Sequence, residues 1–220
     1  MKIIVMKDSP QKMVNTNLTS LKARIFGYLA GDGYVSLVKN VNGNGYEVNF
    51  YPDNYATLVA FVEAIRAVYD KEPFVYRYKN KRIFYVRCRN KKICNDLLSI
   101  SKFKSLEWDF PFKVFKDKKS KKEWLRAFFD CEGYVGQKYI QVQSVNKKGL
   151  ISVQKLLREF GIESKIYVYK RKQKSWNINY LLNINKRNMR IKFFKKIGFN
   201  HTLKKNKLQE LIKSWSRLIR

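Results

Sequence analysis

Two carboxylates, Asp32 and Glu132, occupy matching places in two similar stretches of the chain. Residues 25–35 read IFGYLAGDGYV and residues 125–135 read LRAFFDCEGYV, so each acid follows an apolar run and precedes Gly-Tyr-Val. Oxygen ligands of this kind suit Mg²⁺, whose shell is completed by water and substrate phosphates. Two carboxylates that share divalent ions beneath a basic surface can hydrolyse phosphodiesters, because the ions activate water and stabilise the leaving oxygen. We therefore predict that both acids are metal ligands and catalytic residues.

The segments that precede the two acids must position them. Small residues recur four positions apart, as Gly27 and Gly31 in the first stretch and as Ala127 and Cys131 in the second. This spacing predicts two helices that approach each other backbone to backbone. If the helices pack in parallel, both acids emerge at the same end, where the helix carbonyls and the like charges make carboxylates costly. A divalent cation would remove that cost.

The repetition extends beyond these stretches and predicts an α+β fold. Gly33 and Gly133 are expected to end each helix in the left-handed conformation. Later echoes keep their order, since VYRYK at 75–79 resembles IYVYK at 166–170. Each half shows a helix, two strands, a helix, two strands and a helix, and the halves are expected to be pseudo-symmetric. The predicted division is an N-terminal extension 1–17, a first half 18–108, a linker 109–120 and a second half 121–220.

The charge of the chain points to a polyanionic partner. Its 47 Lys and Arg residues against 17 Asp and Glu residues give a formal net charge of +30. Many of the basic residues lie inside the predicted strands, interleaved with Tyr and Asn, rather than in a tail. This placement indicates nucleic acid. The hydrophobic content of 45% is enough for a packed core and argues against wholesale disorder.

The remaining composition predicts an intracellular protein. Three cysteines are an odd number without zinc-ligand spacing, which indicates free thiols in a reducing compartment. Neither a membrane-spanning apolar run nor a signal peptide is recognisable, so we expect no membrane partner. The expected location is the cytoplasm or nucleoid, or an organelle matrix in a eukaryote.

The two stretches resemble the motif helices of the LAGLIDADG homing endonucleases of the single-chain, two-motif type. The resemblance implies two αββαββα halves with the motif helices at their interface, and two antiparallel sheets that form a DNA-binding saddle. It implies that Asp32 and Glu132 bind Mg²⁺, with Mn²⁺ as a substitute, and that the carbonyls of Gly31 and Cys131 support the metal. The second copy keeps the consensus acid as Asp130, to which no catalytic role is assigned. The first copy departs from the consensus there.

Alternation along the strands predicts which side chains face DNA. Amide and guanidinium groups can make paired hydrogen bonds to base edges in the major groove. The expected base-facing residues are Ser36, Asn40, Glu47, Asn49, Tyr51, Arg77, Lys79, Arg87, Arg89, Gln141, Gln143, Asn177 and Asn179. The expected phosphate contacts are Asn42, Asn44, Lys170, Arg171, Lys172 and Lys174.

The resemblance also implies side chains that hold the attacking water and the scissile phosphate. The candidates are Lys138, Tyr51 and Gln143, and Lys138 is expected to contact DNA as well. His201 is the only histidine and lies far along the chain from either motif. We interpret it as a structural or phosphate-facing residue.

Together these features predict a monomeric, site-specific DNA endonuclease that makes a double-strand break. The expected partner is double-stranded DNA with a long, imperfectly palindromic target, and the resemblance implies an intron-encoded gene. Because Asp32 and Glu132 differ, the two strands are expected to be cut at different rates. An RNA maturase that assists intron splicing and a non-catalytic DNA-binding regulator are the alternatives.

Overall fold

The chain folds as two halves with the same order of elements, each αββαββα. A computed structural model describes residues 8–40, 43–77, 84–169 and 177–217. The first half contains α1 (Asp8–Asp32), β1 (Gly33–Asn40), β2 (Gly43–Phe50), α2 (Tyr55–Tyr69), β3 (Phe74–Arg77), β4 (Phe84–Arg89) and α3 (Lys91–Ile100). The second contains α4 (Lys118–Glu132), β5 (Gly133–Val135), β6 (Ile140–Ser144), α5 (Lys147–Glu159), β7 (Lys165–Tyr169), β8 (Asn179–Ile184) and α6 (Arg187–Lys196), followed by α7 (Thr202–Arg217).

The two sheets have the same topology. The strand order is β1-β2-β4-β3 in one sheet and β5-β6-β8-β7 in the other, and every pairing is antiparallel. The helix after each inner hairpin begins at an asparagine, because the side chains of Asn54 and Asn146 accept hydrogen bonds from the first turns of α2 and α5. The predicted α+β class and the repeated order are confirmed.

Helices α1 and α4 pack in parallel along the predicted small-residue faces. Their contacts ascend together, from Arg24 with Glu123 at 2.7 Å to Gly31 with Cys131. A Cβ added at Gly27 would lie 2.4 Å from the carbonyl oxygen of Trp124, and one added at Gly31 would lie 2.4 Å from the Cβ of Cys131. The backbones therefore approach more closely than larger side chains would permit.

The two glycines after the acids do not adopt the expected left-handed conformation. Gly133 is extended, with φ −75° and ψ 129°, and Gly33 is not among the glycines of positive φ in the described residues. They are required for space instead. A Cβ at Gly133 would lie 2.4 Å from the carbonyl oxygen of Phe129, and one at Gly33 would lie 2.8 Å from that of Asn49. Each strand thus starts directly against the end of its own helix.

Two of the predicted domain boundaries fall inside helices. The boundary at residues 17 and 18 lies inside α1, and the last three residues of the predicted linker lie in α4. The division itself stays a prediction. In the described ranges no helix is both long enough and apolar enough to cross a membrane.

Candidate active site

The two acids at the ends of α1 and α4 are close enough to influence each other. Burial raises the pKa of Glu132 to about 7, with a further contribution from the charge of Asp32. Burial also raises the pKa of Asp32 from its ordinary value, whereas a hydrogen bond with Cys131 lowers it. Both carboxyls therefore bind protons more readily than ordinary acids do. Because the two carboxylates also repel each other, a metal cation bound between them would offset that repulsion.

Asp32 lies beside a second, unexpected acid. The carbonyl of Asp32 accepts a hydrogen bond from the backbone N–H of Tyr51 at 3.0 Å, which brings the following segment against the end of α1. The charge of Asp53 raises the pKa of Asp32. A hydrogen bond with His201 lowers the pKa of Asp53, and Nε2 of His201 lies 3.4 Å from Oδ1 of Asp53. Residues of both halves therefore surround Asp32.

His201 is buried at this site and was not predicted to belong to it. Its backbone N–H donates to Asp130 at 3.0 Å, and its Nδ1 accepts from the backbone N–H of Lys204 at 3.4 Å. The repeat could have revealed this position, because Phe103 and Phe199 are 96 residues apart. The same offset relates His201 to Ser105, which lies near the other acid.

Glu132 opens into a recess of about 430 Å³ between the two halves. Gln143 lies at this recess, as predicted for a residue that could hold water or phosphate. Tyr51 and Gln143 are equivalent, since each follows the strand partner of the glycine after an acid. Lys138 is exposed in the turn between β5 and β6, outside the lining of this recess. The lining consists of Ala30, Gly31, Gly33, Phe103, Ser105, Trp108, Glu132, Gln143, Ser144, Val145 and Asn179.

Asp130 is a structural acid at the same end of the helix pair. It is 1% exposed, and it accepts hydrogen bonds from the hydroxyl of Tyr28 at 3.1 Å and from the backbone N–H of Asn200 at 2.8 Å. Burial raises its pKa to about 6. These bonds hold the start of α7 against α1 and α4. Because the carboxylate is buried, it is not accessible to a substrate.

The donor set of the site fits a magnesium-type ion. In the described part of the chain no group of three or more His, Cys, Asp or Glu side chains is arranged to hold a metal. Asp32 and Glu132 supply two carboxylates, with the carbonyls of Gly31 and Cys131 one residue before them. Magnesium commonly takes one or two protein carboxylates and completes its shell with water and phosphate oxygens. The residues present can therefore supply the protein's share of the ligands of such an ion, with water or a phosphate substrate completing the shell.

The surface of the first sheet that faces away from the helices carries a row of stacked tyrosines. The ring of Tyr51 lies 6.5 Å from that of Tyr34 and 5.0 Å from that of Tyr85, and Tyr85 lies 5.8 Å from Tyr76. We call these four residues the tyrosine row. It crosses the sheet from the strand that follows Asp32 to the outer strand β3. Arg87 lies over the ring of Tyr85 at 4.8 Å.

Two predictions for this sheet are wrong. Asn49 lies on the expected face but is 0% exposed, because the hydroxyl of Tyr85 covers it and donates to its side chain at 2.5 Å. Arg77 pairs with Phe84 in β4, two residues before Val86, whose side chain is fully buried against the helices. It therefore points to the opposite face of the sheet from the tyrosine row.

Other predicted residues of the first sheet lie where expected. Glu47, Arg87 and Arg89 share the face of the tyrosine row, and Nε of Arg89 donates to Glu47 at 2.8 Å. Ser36 is opposite Glu47. An ion pair between neighbouring strands leaves this face less positive than its arginines alone would make it.

The second sheet presents a similar mixture. Gln141 donates to Asn183 on the adjacent strand at 2.9 Å, and Asn177 is exposed just before β8. Asn179 is 1% exposed, so the prediction that it is presented on the surface is wrong. It lies at the start of β8, where the recess beside Glu132 begins. Tyr134, Tyr167 and Tyr169 are exposed instead.

Several predicted contacts fall outside the described residues. These are Asn42, Lys79, Lys170, Arg171, Lys172 and Lys174, together with the side chains of Asn40 and Asn44. Their assignment to phosphates or bases stays a prediction.

The second half matches a known domain family. Residues 119–198 match the family model of the LAGLIDADG-like domain. Mesophilic variants of the homing endonuclease I-DmoI have the same fold, with a TM-score of 0.66 at 18% identity over 83% of this chain and 97% of theirs. I-DmoI in complex with DNA and Mn gives 0.64 at 17% identity over 83% and 98%.

The same fold also occurs in a protein that is not named as a homing endonuclease. Full-length DUF199/WhiA from Thermatoga maritima gives a TM-score of 0.59 at 14% identity, over 96% of this chain and 62% of that one. At such identities the likeness establishes the fold alone. The shared fold therefore does not decide whether the present chain cuts DNA.

Relatives with clearer sequence similarity come from Methanocaldococcus jannaschii. An uncharacterized protein is 30% identical over 129 residues, which is 54% of this chain and 47% of that protein. A probable translation initiation factor IF-2 is 39% identical over 94 residues, which is 41% of this chain and 8% of that protein. The chain spans less than half the length of these curated relatives.

The raised pKa values at the site predict a pH dependence of stability without metal. Between its ordinary value of 4.5 and about 7, Glu132 holds a proton in the folded state that it has lost in the unfolded state. The free energy of unfolding should therefore fall as pH rises through this range. Urea titrations in EDTA should give the wild type a lower free energy of unfolding at about pH 7.5 than at about pH 5. Glu132→Gln should reduce this difference by up to about 3 kcal/mol. Equal losses in both proteins would contradict the burial of this acid.

Proposed function

We propose that the chain is a site-specific DNA endonuclease that makes a double-strand break by divalent-metal-dependent phosphodiester hydrolysis. The observation that carries this proposal is the pair of interacting, half-buried carboxylates at the joined ends of α1 and α4. Paired like charges in a low-dielectric site destabilise the fold. Their presence in both copies is explained if they bind a cation during the reaction.

The side chains around the acids suit the handling of water and phosphate. A bound Mg²⁺ would supply Lewis acidity and lower the pKa of a bound water. On the Asp32 side, Asp53 can accept a hydrogen bond from water while His201 holds its carboxylate in place. On the Glu132 side, the amide of Gln143 can donate to a phosphate oxygen. The two sides differ in charge, which supports unequal rates of strand cleavage.

The tyrosine row supports a duplex rather than unpaired bases as the partner. Side chains that bind single-stranded nucleic acid offer open aromatic faces on which bases stack. Tyr51 has Tyr34 and Tyr85 against its faces, and Tyr85 has Tyr51 and Tyr76. The inner rings thus offer edges and hydroxyls, which can reach base edges and thymine methyl groups in a groove. This arrangement favours DNA cleavage over the alternative of an RNA maturase.

The similar proteins support the same partner and cofactor. I-DmoI has been solved with DNA and Mn, with DNA and Ca, and, as a variant, with its target DNA and Mg. By analogy the present chain would bind double-stranded DNA as a monomer and use Mg²⁺, with Mn²⁺ as a substitute. A long, imperfectly palindromic target follows from two similar but unequal halves.

The lengths of the matches support an origin in a mobile element. The segment that matches a probable translation initiation factor covers only 8% of that protein. A segment that inserts itself into unrelated genes would produce such a partial match. An intron-encoded gene, as implied by the motifs, is one form of such an element.

A cleavage selection on a library of randomised duplexes tests the proposal. The protein is incubated with circular library DNA and Mg²⁺, and linear products are recovered and sequenced. We expect linear DNA with one consensus in Mg²⁺ and none in EDTA. Binding to duplexes without linear product in Mg²⁺ or Mn²⁺ would favour the non-catalytic regulator. Binding confined to an intron transcript would favour the maturase.

A further inference from the structure

One lysine of α7 reaches the end of the second motif helix. Nζ of Lys204 donates to the carbonyl oxygen of Cys131 at 2.8 Å, and it also donates to that of Asp130. The last carbonyls of a helix lack intrahelical partners and carry partial negative charge. The ammonium group therefore occupies the negative end of α4, next to Glu132.

The same ammonium group lies within electrostatic reach of every acid at the site. Burial raises the pKa of Asp32, of Asp130 and of Glu132, and the charge of Lys204 lowers each of them. The pKa of Asp53 is lowered chiefly by His201 and further by Lys204. One positive charge thus offsets four carboxyl groups.

The position of Lys204 is fixed by the way α7 begins. Asp130 accepts the backbone N–H groups of Asn200 and His201, and Leu208 in the next turn is fully buried. The side chain of Asn54 in the first half donates to Thr202 at 2.9 Å. These contacts direct the first turn of α7 at the joined ends of α1 and α4.

The two sides of the site are unequal in this respect. The offset of 96 residues that relates His201 to Ser105 also relates Lys204 to Trp108. Trp108 is an uncharged residue in the lining of the recess beside Glu132. The lysine is therefore a feature of one side and not of the shared repeat.

We propose that Lys204 is a positioning residue that acts as an internal counter-cation. Its ammonium group stabilises the joined helix ends before a divalent ion arrives, and it holds the Cys131 carbonyl that the ion would share. The inference rests on the proposed function only in taking Asp32 and Glu132 as ligands of that ion. Removing the charge should weaken the metal-free protein and strengthen its response to metal, since the ion would then face less repulsion and a free carbonyl.

The test compares Lys204→Met with Lys205→Met in the whole chain. Lys205 is the exposed neighbour on the same helix, so both variants lose one charge from α7. Melting temperatures are measured in EDTA and across a titration with CaCl₂, a probe for oxygen ligands. We expect Lys204→Met to melt about 5 °C below Lys205→Met in EDTA. We also expect its stabilisation by Ca²⁺ to reach half its maximum at a severalfold lower concentration than in Lys205→Met.

Equal melting temperatures of the two variants in EDTA would overturn the inference. If Lys204→Met does not fold in EDTA, Lys204→Arg, which keeps the charge, should fold and melt near the wild type. Failure of the arginine variant as well would show that the lysine's shape, not its charge, matters, and would also overturn the inference. Absence of any Ca²⁺ effect on the wild type would contradict the metal site of the proposed function. The difference in EDTA would still decide the role of Lys204.

Discussion

Asp32→Asn and Glu132→Gln should each reduce DNA cleavage by on the order of 100-fold to 1,000-fold while leaving DNA binding within a fewfold of the wild type. Each substitution keeps the shape of the side chain but removes a charge that a cation requires. Under the proposed function DNA binding would depend on the sheets and their basic residues, which neither change touches. Cleavage is measured in Mg²⁺ on a duplex from the selection, and binding is measured in Ca²⁺ by gel shift.

Stability provides the internal control for these variants. Removing one of two half-buried, mutually repelling carboxylates should raise the free energy of unfolding in EDTA, so lost cleavage cannot be ascribed to unfolding. Glu63→Gln, an exposed change on α2, should cleave like the wild type. Wild-type cleavage by Asp32→Asn or Glu132→Gln would contradict the assignment of the site. Loss of binding together with cleavage would mean that the acids support the fold rather than the reaction.

Gly31→Ala and Gly27→Ala should each destabilise the protein by about 2–4 kcal/mol, because a methyl group has no room at the helix contact. The added Cβ would lie 2.4 Å from the Cβ of Cys131 in the first case and 2.4 Å from the carbonyl oxygen of Trp124 in the second. Urea unfolding in EDTA measures both losses. Ala67→Gly, at an exposed position of α2, gives the ordinary cost of a helical glycine exchange, about 1 kcal/mol.

The two glycine variants should respond differently to a second change. Cys131→Gly removes the Cβ and Sγ atoms that the new methyl group of Gly31→Ala would meet, after which its nearest remaining neighbour is the Glu132 side chain at 3.6 Å. The double variant should therefore recover most of the loss, apart from the cost of the new glycine. Ala127→Gly should not rescue Gly27→Ala, because the backbone of Trp124 remains in the way. Equal rescue of both would contradict the contact described for Gly27.

The architecture was predictable because it depends on local spacing. The small residues four apart indicated the contact between α1 and α4, and the repeat indicated two sheets of one topology. The positions of the two acids were predictable for the same reason, since a residue at the end of each helix must lie at the end of the helix pair. Gly33 and Gly133 were expected at the right places for the wrong reason. Sequence shows that glycine is needed, but only the structure shows a carbonyl where a Cβ would be.

The faces of the outer strands were harder to predict. A shift of one residue moves a strand's side chains to the opposite face, and the pairing of Arg77 with Phe84 depends on the connection between β3 and β4. Asn49 was assigned to the correct face, but the rings above it exclude solvent. His201 and Lys204 reach the site through the return of α7, a contact about 170 residues away from Asp32 in sequence. Local spacing carries no information on such a return, and in the sequence only the repeat relates these residues to Ser105 and Trp108.

The ion pair between Arg24 and Glu123 makes the contact between α1 and α4 asymmetric. The two motifs are 100 residues apart, and the same offset relates Arg24 to Trp124 and Glu123 to Ala23. The ion pair therefore has no symmetry-related counterpart. In an association of two first halves Ala23 would take the place of Glu123, which would leave each Arg24 without a carboxylate. The chain thus encodes the association of unlike halves, so the asymmetry of the molecule is set within the protein itself.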